Sequence, residues 1–379
     1  MKIKFFQINL YNIQLSLMRS LKILILFVTY SVALHAQTIN PNTRVGIVLD
    51  QDYFLKFVKP SYATDRNYTM GLGLIYQDKG LGGSWFFAPH RFIAKNLFSK
   101  ILKDYDVYDA SIMLANTTFT PEYLGNLHDP VHEFKRENDR PFASLNVIGT
   151  SLGLQDNSGN ELITLGINVG AIGLNVSKAV QTKIHRDHWF GNTADIPYGW
   201  EGQISKGGEP TLLVTGKKDW LLIGKREGTD VGLFQLNTSA EVRLGYYVST
   251  GLGLNTRLGL LDKKSWAMNT LPMANLVGIT SENKNLWEVY LLSGVKGNGW
   301  LYNALLLGQF RDSPYTISFK QLNKATLDWN LGLGAKIPTC GKQAIRLSAM
   351  AVGRSPEFNT VREFKRWHSW VSFQAYYEW

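Results

Sequence analysis

The sequence predicts an all-β protein: a transmembrane antiparallel β-barrel of about twelve strands, with a short helix in one long loop. Three observations predict it. Apolar and polar residues alternate with period two, segment after segment, up to the last residue. A basic, then apolar, then small-residue stretch near the start has the order of an export signal. No later stretch has eighteen consecutive apolar residues, so no helix is expected to span a membrane.

The alternation is clearest at the end. Val371, Phe373, Ala375, Tyr377 and Trp379 fall on one face of a strand, and Ser372, Gln374, Tyr376 and Glu378 on the other. Leu327, Trp329, Leu331, Leu333, Ala335 and Ile337 oppose Thr326, Asp328, Asn330, Gly332, Gly334 and Lys336. Phe234, Leu236, Ala240, Val242, Leu244 and Tyr246 repeat the pattern against Gln235, Asn237, Ser239, Glu241, Arg243 and Gly245. Segments of about ten residues are long enough to cross a tilted bilayer, and a closed sheet leaves no unpaired edge in lipid. Trp379, Tyr377, Tyr246 and Tyr247, at strand ends, fit an interfacial aromatic girdle. Strands are expected over 44–54, 67–78, 108–118, 141–155, 159–171, 210–223, 233–246, 249–261, 286–299, 325–337, 343–355 and 367–379. A barrel of this size has a narrow, mostly filled lumen, so function is expected in the long connections 79–107, 172–209, 262–285 and 300–324.

The leader comprises Met18-Arg19-Ser20-Leu21-Lys22, the apolar run Ile23 to Val32, and Ala33-Leu34-His35-Ala36. It reads as a secretory signal over 1–36, with cleavage after Ala36, the barrel occupying 37–379. Met18 is an alternative start. Loss of Lys2, Lys4, Arg19 and Lys22 with the signal takes the formal charge from +10 to +6. That diffuse excess suits phosphorylated lipids and does not argue for nucleic acid. Cys340 is the only cysteine, which excludes an intramolecular disulfide and a thiolate metal cluster.

Several polar groups exceed what a barrel needs. With Val45, Ile47 and Leu49 facing lipid, Asp50 and Asp52 face the lumen. With Tyr68, Met70, Leu72 and Leu74 facing out, Thr69 faces in beside them. Two carboxylates and a hydroxyl suit a hard cation such as Ca²⁺, or are lumenal polar residues bridged to Arg or Lys. Asp139-Arg140 opens the fourth strand, where a local salt bridge is the plain reading. The span Ser177 to Ile184 reads as a short helix with His185 near its end. His185 is then a proton acceptor, a metal ligand with His188, or a surface-loop histidine.

In order along the chain, six short pieces resemble the outer-membrane lipid A 3′-O-deacylase family. They are Asp50-Gln51-Asp52; Thr64-Asp65-Arg66 with Tyr68-Thr69-Met70-Gly71; Phe119-Thr120-Pro121; Asp139-Arg140-Pro141-Phe142-Ala143; Gln181…His185 with Gly199-Trp200…Gln203; and Gln309-Phe310-Arg311-Asp312-Ser313. The resemblance implies a twelve-stranded barrel in the outer membrane that hydrolyses the ester of the 3′-linked acyloxyacyl group of lipid A, with Ca²⁺ as cofactor. It implies His185 as base, Asp50 and Asp52 as metal ligands, and Asp52, Gln51, Thr69 and Arg136 in the catalytic group. Arg140, Gln181 and Ser144 become substrate-binding. Implied partners are lipopolysaccharide, outer-membrane lipids and the barrel assembly machinery.

The chain departs from the family pattern twice. An Asn-Asp pair on the first strand is matched by Leu49-Asp50 in one register and Gln51-Asp52 in the other; in the second, Gln51 needs a bulge to reach the lumen. A Lys before the Asp-Arg pair is matched by Glu137, with Arg136 beside it as substitute. Two other functions compete. A barrel phospholipase A1 needs a serine next to its histidine, and no His-x-Ser stands on one strand. A structural or solute barrel needs no site at all.

Overall fold

The computed structural model describes residues 43–57, 67–97, 102–122, 139–187, 197–225, 230–266, 285–339, 343–359 and 367–379. These belong to one unit, Asn42–Trp379. The signal over 1–36, Thr64 to Arg66, Arg136, Glu137, His188 and Cys340 lie outside the described residues.

Twelve antiparallel strands close into a barrel in chain order, the first pairing with the last. They are β1 (Arg44–Gln51), β2 (Asn67–Gln77), β3 (Tyr105–Thr120), β4 (Ala143–Asp156), β5 (Glu161–Ile172) and β6 (Glu209–Ile223). β7 (Val231–Gly245), β8 (Tyr247–Asp262), β9 (Glu288–Asn303), β10 (Ala325–Thr339), β11 (Gln343–Arg354) and β12 (His368–Glu378) complete it. Closure pairs Arg44 with Glu378 and Gln51 with Val371. The start of β1 and the end of β12 therefore share one end of the barrel, the terminal end; the other is the distal end. Helices α1 (Ala88–Leu97), α2 (Val176–Arg186) and α3 (Ala304–Leu307) lie in connections.

The alternation does what a lipid-facing wall requires. Val45, Ile47, Leu72, Leu74, Leu252, Leu254, Leu331, Leu333 and Phe373 are exposed on the outside. Their inward neighbours are buried, many of them charged. In the lumen Arg346 bridges Glu288 at 2.6 Å and Glu378 at 2.9 Å near the terminal end, and Lys336 bridges Asp262 at 3.2 Å. Higher up, Glu241 pairs with Arg243 and Lys296, and Arg354 holds Asp328 at 2.6 Å. Such pairs fill a lumen that keeps a void of about 130 Å³.

Local geometry corrects three expectations. β1 stops at Gln51 rather than residue 54, because Tyr53–Phe57 forms a 3₁₀ turn that sets the Phe54 ring edge-on against Phe373 at 5.3 Å. Tyr246 and Tyr247 are not girdle residues. Gly245 (φ +143°) turns the chain in a single-residue link between β7 and β8, and both rings line the lumenal void. The third correction concerns β2 and turns Thr69 to the outer face.

Candidate active site on the outer wall

β2 carries a β-bulge at Thr69: Tyr68 pairs with Phe119 and Met70 with Thr118, so Thr69 is the extra residue. A bulge shifts the phase of every side chain beyond it. Leu72 and Leu74 face out as expected, but Tyr68 turns inward and Thr69 outward. Tyr68 donates its hydroxyl to Asp50 Oδ2 at 2.6 Å and packs on Trp370 and Phe119 inside the barrel. Thr69 Oγ1 lies 2.5 Å from Thr120 Oγ1. Thr120 belongs to the outer face of β3, in phase with exposed Leu114, whereas Met113, Ala115, Thr117 and Phe119 line the lumenal void. The expected convergence of Asp50, Asp52 and Thr69 inside the lumen is therefore replaced. Asp50 is lumenal, and Thr69 belongs to the outer wall.

That part of the wall is polar where lipid would demand apolar groups. Asn116, Thr118 and Thr120 on β3 and Ser144 and Asn146 on β4 interrupt the outward apolar phase. Helix α2 covers them. Thr118 Oγ1 donates to Ser177 Oγ at 2.8 Å, and Ser177 donates to Ser144 Oγ at 2.7 Å. Asn116 donates to Asn146 Oδ1 at 2.8 Å and to Ser177 at 3.2 Å.

The helix is amphipathic in the unusual sense. Its buried residues are Ser177, Gln181 and His185, spaced by four on one face, while Val176 and Val180 are exposed. A helix that docked only for stability would bury the valines. His185 is thus neither a surface-loop residue nor lumenal. It is buried in the last turn, at the negative end of the helix dipole. Ser177 lies two turns back, about 12 Å along the axis, too far to be its nucleophile.

The distal loops hold the helix in place. Gly173 precedes it at φ +84°, packed so tightly on Ser205 that a β-carbon would fall 1.9 Å from the Ser205 carbonyl oxygen. Trp200 donates its indole N–H to Gln181 Oε1 at 2.9 Å, fixing that amide, and Gln203 donates to Asn175 at 3.1 Å. Lys178 and Lys206 both meet Glu201, whose carboxyl they hold down at about 2. The connection after α3 clamps this layer: Glu209 accepts from the backbone of Phe310 and Arg311, and Ser313 Oγ from Ser205 N. The motif pieces at 181–203 and 309–313 are one assembly.

Arg140 lies elsewhere. Its guanidinium does not pair with Asp139, which accepts the Arg140 backbone N–H at 2.7 Å. It reaches Glu357 and stacks 4.1 Å over Phe119 on the lumenal side. Burial pushes Glu357 up, but Arg140, Arg354 and His368 outweigh it and hold its carboxyl down at about 2. Arg140 is a strut of the barrel mouth.

Asp52 closes the first strand. Its backbone N–H donates to Thr69 O at 3.2 Å and to Gln51 Oε1 at 3.1 Å. Gln51 is in the outward phase of Val45 and Ile47, so it needs no bulge to share the face of Thr69. Among the described residues no three His, Cys, Asp or Glu side chains gather closely enough to hold a metal ion. The groups that accept the Asp52 N–H, Gln51 Oε1 and the Thr69 carbonyl, are oxygens, as is the buried Asp52 carboxylate. They fit Ca²⁺, which accepts amide and carbonyl oxygens, and do not fit zinc.

The family model "Outer membrane protein LpxR" matches residues 21–379. The chain belongs to this family. It is an outer-membrane protein, and its barrel is similar to LpxR from Salmonella typhimurium. The two share 18% identity over 89% of this chain and 100% of that one, with a TM-score of 0.64. The β domain of the Bordetella autotransporter BrkA matches at 10% identity and a TM-score of 0.38, covering 89% and 98%. The Pseudomonas putida toluene transporter TodX matches at 8% and 0.34, covering 89% and 88%. Among curated proteins none matches the chain by sequence. Within the LpxR family fold, sequence reasoning missed Asn116, Thr118, Thr120, Asn146 and Ser177. Two signals were available: polar residues in the outward phase of β3, and the four-residue spacing Ser177-Gln181-His185.

Proposed function

We propose that this protein is a lipid A deacylase that hydrolyses the ester of the 3′-linked acyloxyacyl group from the membrane side of its barrel. The observation that carries this reading is the polar buried face of α2, Ser177-Gln181-His185, laid on a polar patch of a wall that otherwise meets lipid. A lipid substrate reaches such a site laterally, its acyl chains never leaving the bilayer. A lumen packed with ion pairs gives a solute no path.

His185 takes a proton from the attacking water, assisted by its place in the last turn of α2. Gln181, oriented by Trp200, and Ser144, held by Ser177, offer polar contacts to the sugar and ester. Asp52, Gln51 and the Thr69 carbonyl would hold Ca²⁺, with Asp50 behind them on the lumenal side. The bound cation supplies charge stabilisation for the oxyanion formed on the ester carbonyl. Arg136, in the family's lysine region, is the side chain proposed to share that work. Arg140 contributes by fixing the mouth on which these segments stand.

The test is the mass of lipid A from cells with hexa-acylated lipid A that express the protein, with and without Ca²⁺. Loss of the 3′ chains, abolished in His185→Ala and by chelation, is expected. Intact lipid A together with released lysophospholipid would assign a phospholipase instead, and no change in any lipid would leave a barrel without chemistry.

A further inference from the structure

A second segment lies on the outer wall below α2. Between β2 and β3 the chain forms two 3₁₀ turns, Lys79–Gly83 and Trp85–Phe87, and then α1. Phe87 is fully buried against Ala110, Leu152, Leu154 and Leu165, with Leu81, Ile93 and Ala94 beside it. Those strand residues face outward: Leu165 shares the phase of exposed Val169, and Leu152 that of exposed Ile148. His90 is buried with Nε2 3.2 Å from the Thr150 carbonyl oxygen, also on this wall.

The strand register gives the depth. Outward residues of β3, β4 and β5 form rows: Thr118–Ser144 under α2, Asn116–Asn146–Ala171, Leu114–Ile148–Val169, Ile112–Thr150–Ile167 beside His90, and Ala110–Leu152–Leu165 under Phe87. One row, Leu114–Ile148–Val169, is bare between the two covers. From Ser144 to Thr150 is about 20 Å along the strand, or about 15 Å across the bilayer for a strand tilted by about 40°. That is half of a hydrocarbon core about 30 Å thick. If α2 sits at the outer-leaflet interface, the premise taken from the proposed function, the lower segment lies level with the inner leaflet.

Its chemistry suits that depth. Trp85 is 75% exposed, Phe86 53% and Phe92 64%, and the first two rings stack at 3.8 Å. The backbone satisfies itself, as lipid demands: Ser84 N donates to Leu81 O at 2.9 Å, Phe87 N to Ser84 O at 3.2 Å, and Asp78 accepts from Gly80 N at 2.6 Å. Arg91 spends its guanidinium on the carbonyls of Gly82 and Ser84. Lys79 and Lys95 are exposed, placed to reach phosphates as aromatic and basic anchors do at an interface.

We propose that this segment is an inner-leaflet brace: Trp85, Phe86 and Phe92 insert among the acyl chains of glycerophospholipids, while the buried side of the brace covers β3 to β5. Its apolar surface continues the lipid-facing band directly, through the bare row above it. It also floors the strip of wall that runs down from α2.

Site-directed spin labelling tests this. Trp85→Cys and Phe92→Cys, each in the Cys340→Ser protein, are reconstituted in phosphatidylethanolamine–phosphatidylglycerol vesicles. Collision with oxygen is compared with collision with a water-soluble nickel chelate. Ile148→Cys is the lipid reference, and Ser158→Cys, on the exposed turn between β4 and β5, the water reference. The brace predicts an oxygen-to-nickel ratio at both sites matching Ile148→Cys and severalfold above Ser158→Cys. A ratio matching Ser158→Cys overturns it. So does protection from both reagents with spin–spin broadening that grows with the protein-to-lipid ratio, which would mean a second copy covers the surface.

Discussion

Thr118 on β3 and Ser177 on α2 are joined by a 2.8 Å hydrogen bond on the outside of the barrel. That contact makes a loop helix one wall of the proposed site, whose other wall is the sheet. Ser177 also serves Ser144 and Asn116, so its loss strands buried donors. Ser177→Ala is expected to cost about 1–3 kcal/mol of helix docking. Hydrogen exchange over 176–186 then speeds up by roughly tenfold or more. Adding Thr118→Val to Ser177→Ala should cost less than the two changes summed, because the pair removes donor and acceptor together.

Removing the proposed base is the sharpest functional change. His185→Ala is expected to lower deacylation by about 10²–10⁴-fold, the usual contribution of a positioned general base. The barrel itself should be unaffected, which its heat-modifiable migration on a gel checks.

Thr69 and Tyr68 make opposite predictions although adjacent in sequence. Thr69→Val alters the outer site and should reduce the rate of lipid A hydrolysis severalfold or more. Tyr68→Phe removes one lumenal partner of Asp50 and should destabilise the barrel by about 1–3 kcal/mol while preserving the rate. Parallel measurements of unfolding and lipid A hydrolysis separate them. The reverse pattern would mean that the bulge does not set the phase.

The mouth is acid-sensitive through Glu357. Its carboxyl is held down at about 2, below the ordinary glutamate value of 4.5. A depressed acid contributes stability that is fully present above the ordinary value and is lost as pH falls from there through about 2. Thermal unfolding of the wild type should therefore fall across that window, and Glu357→Gln should flatten the fall. At neutral pH Glu357→Gln leaves the Arg140 guanidinium buried without its counter-charge and should cost about 3–5 kcal/mol.

Most of the barrel was readable from alternation because each strand lies between lipid and a filled lumen, and that contrast writes itself as period two. All twelve expected segments became strands, with shifts at their ends. The helix ending near His185 was readable as well. Alternation failed at Thr69, where one inserted residue reverses the phase, and at Tyr246, where Gly245 turns the chain. Nor could local pattern foresee that Arg140 pairs with Glu357, 217 residues away, instead of its neighbour Asp139. The proposed site lies on the wall rather than in the lumen for the same reason. Two strands, a loop and a bulge combine there, and only their register shows which face they share.

If catalysis takes place on the outer wall beneath α2, the substrate arrives through the bilayer. A photo-crosslinking residue at Val180, on the exposed face of α2, and another at Thr117, in the lumen, test it in living cells. Lipopolysaccharide adducts are expected from Val180 and none from Thr117. Adducts from Thr117 with none from Val180 would contradict it.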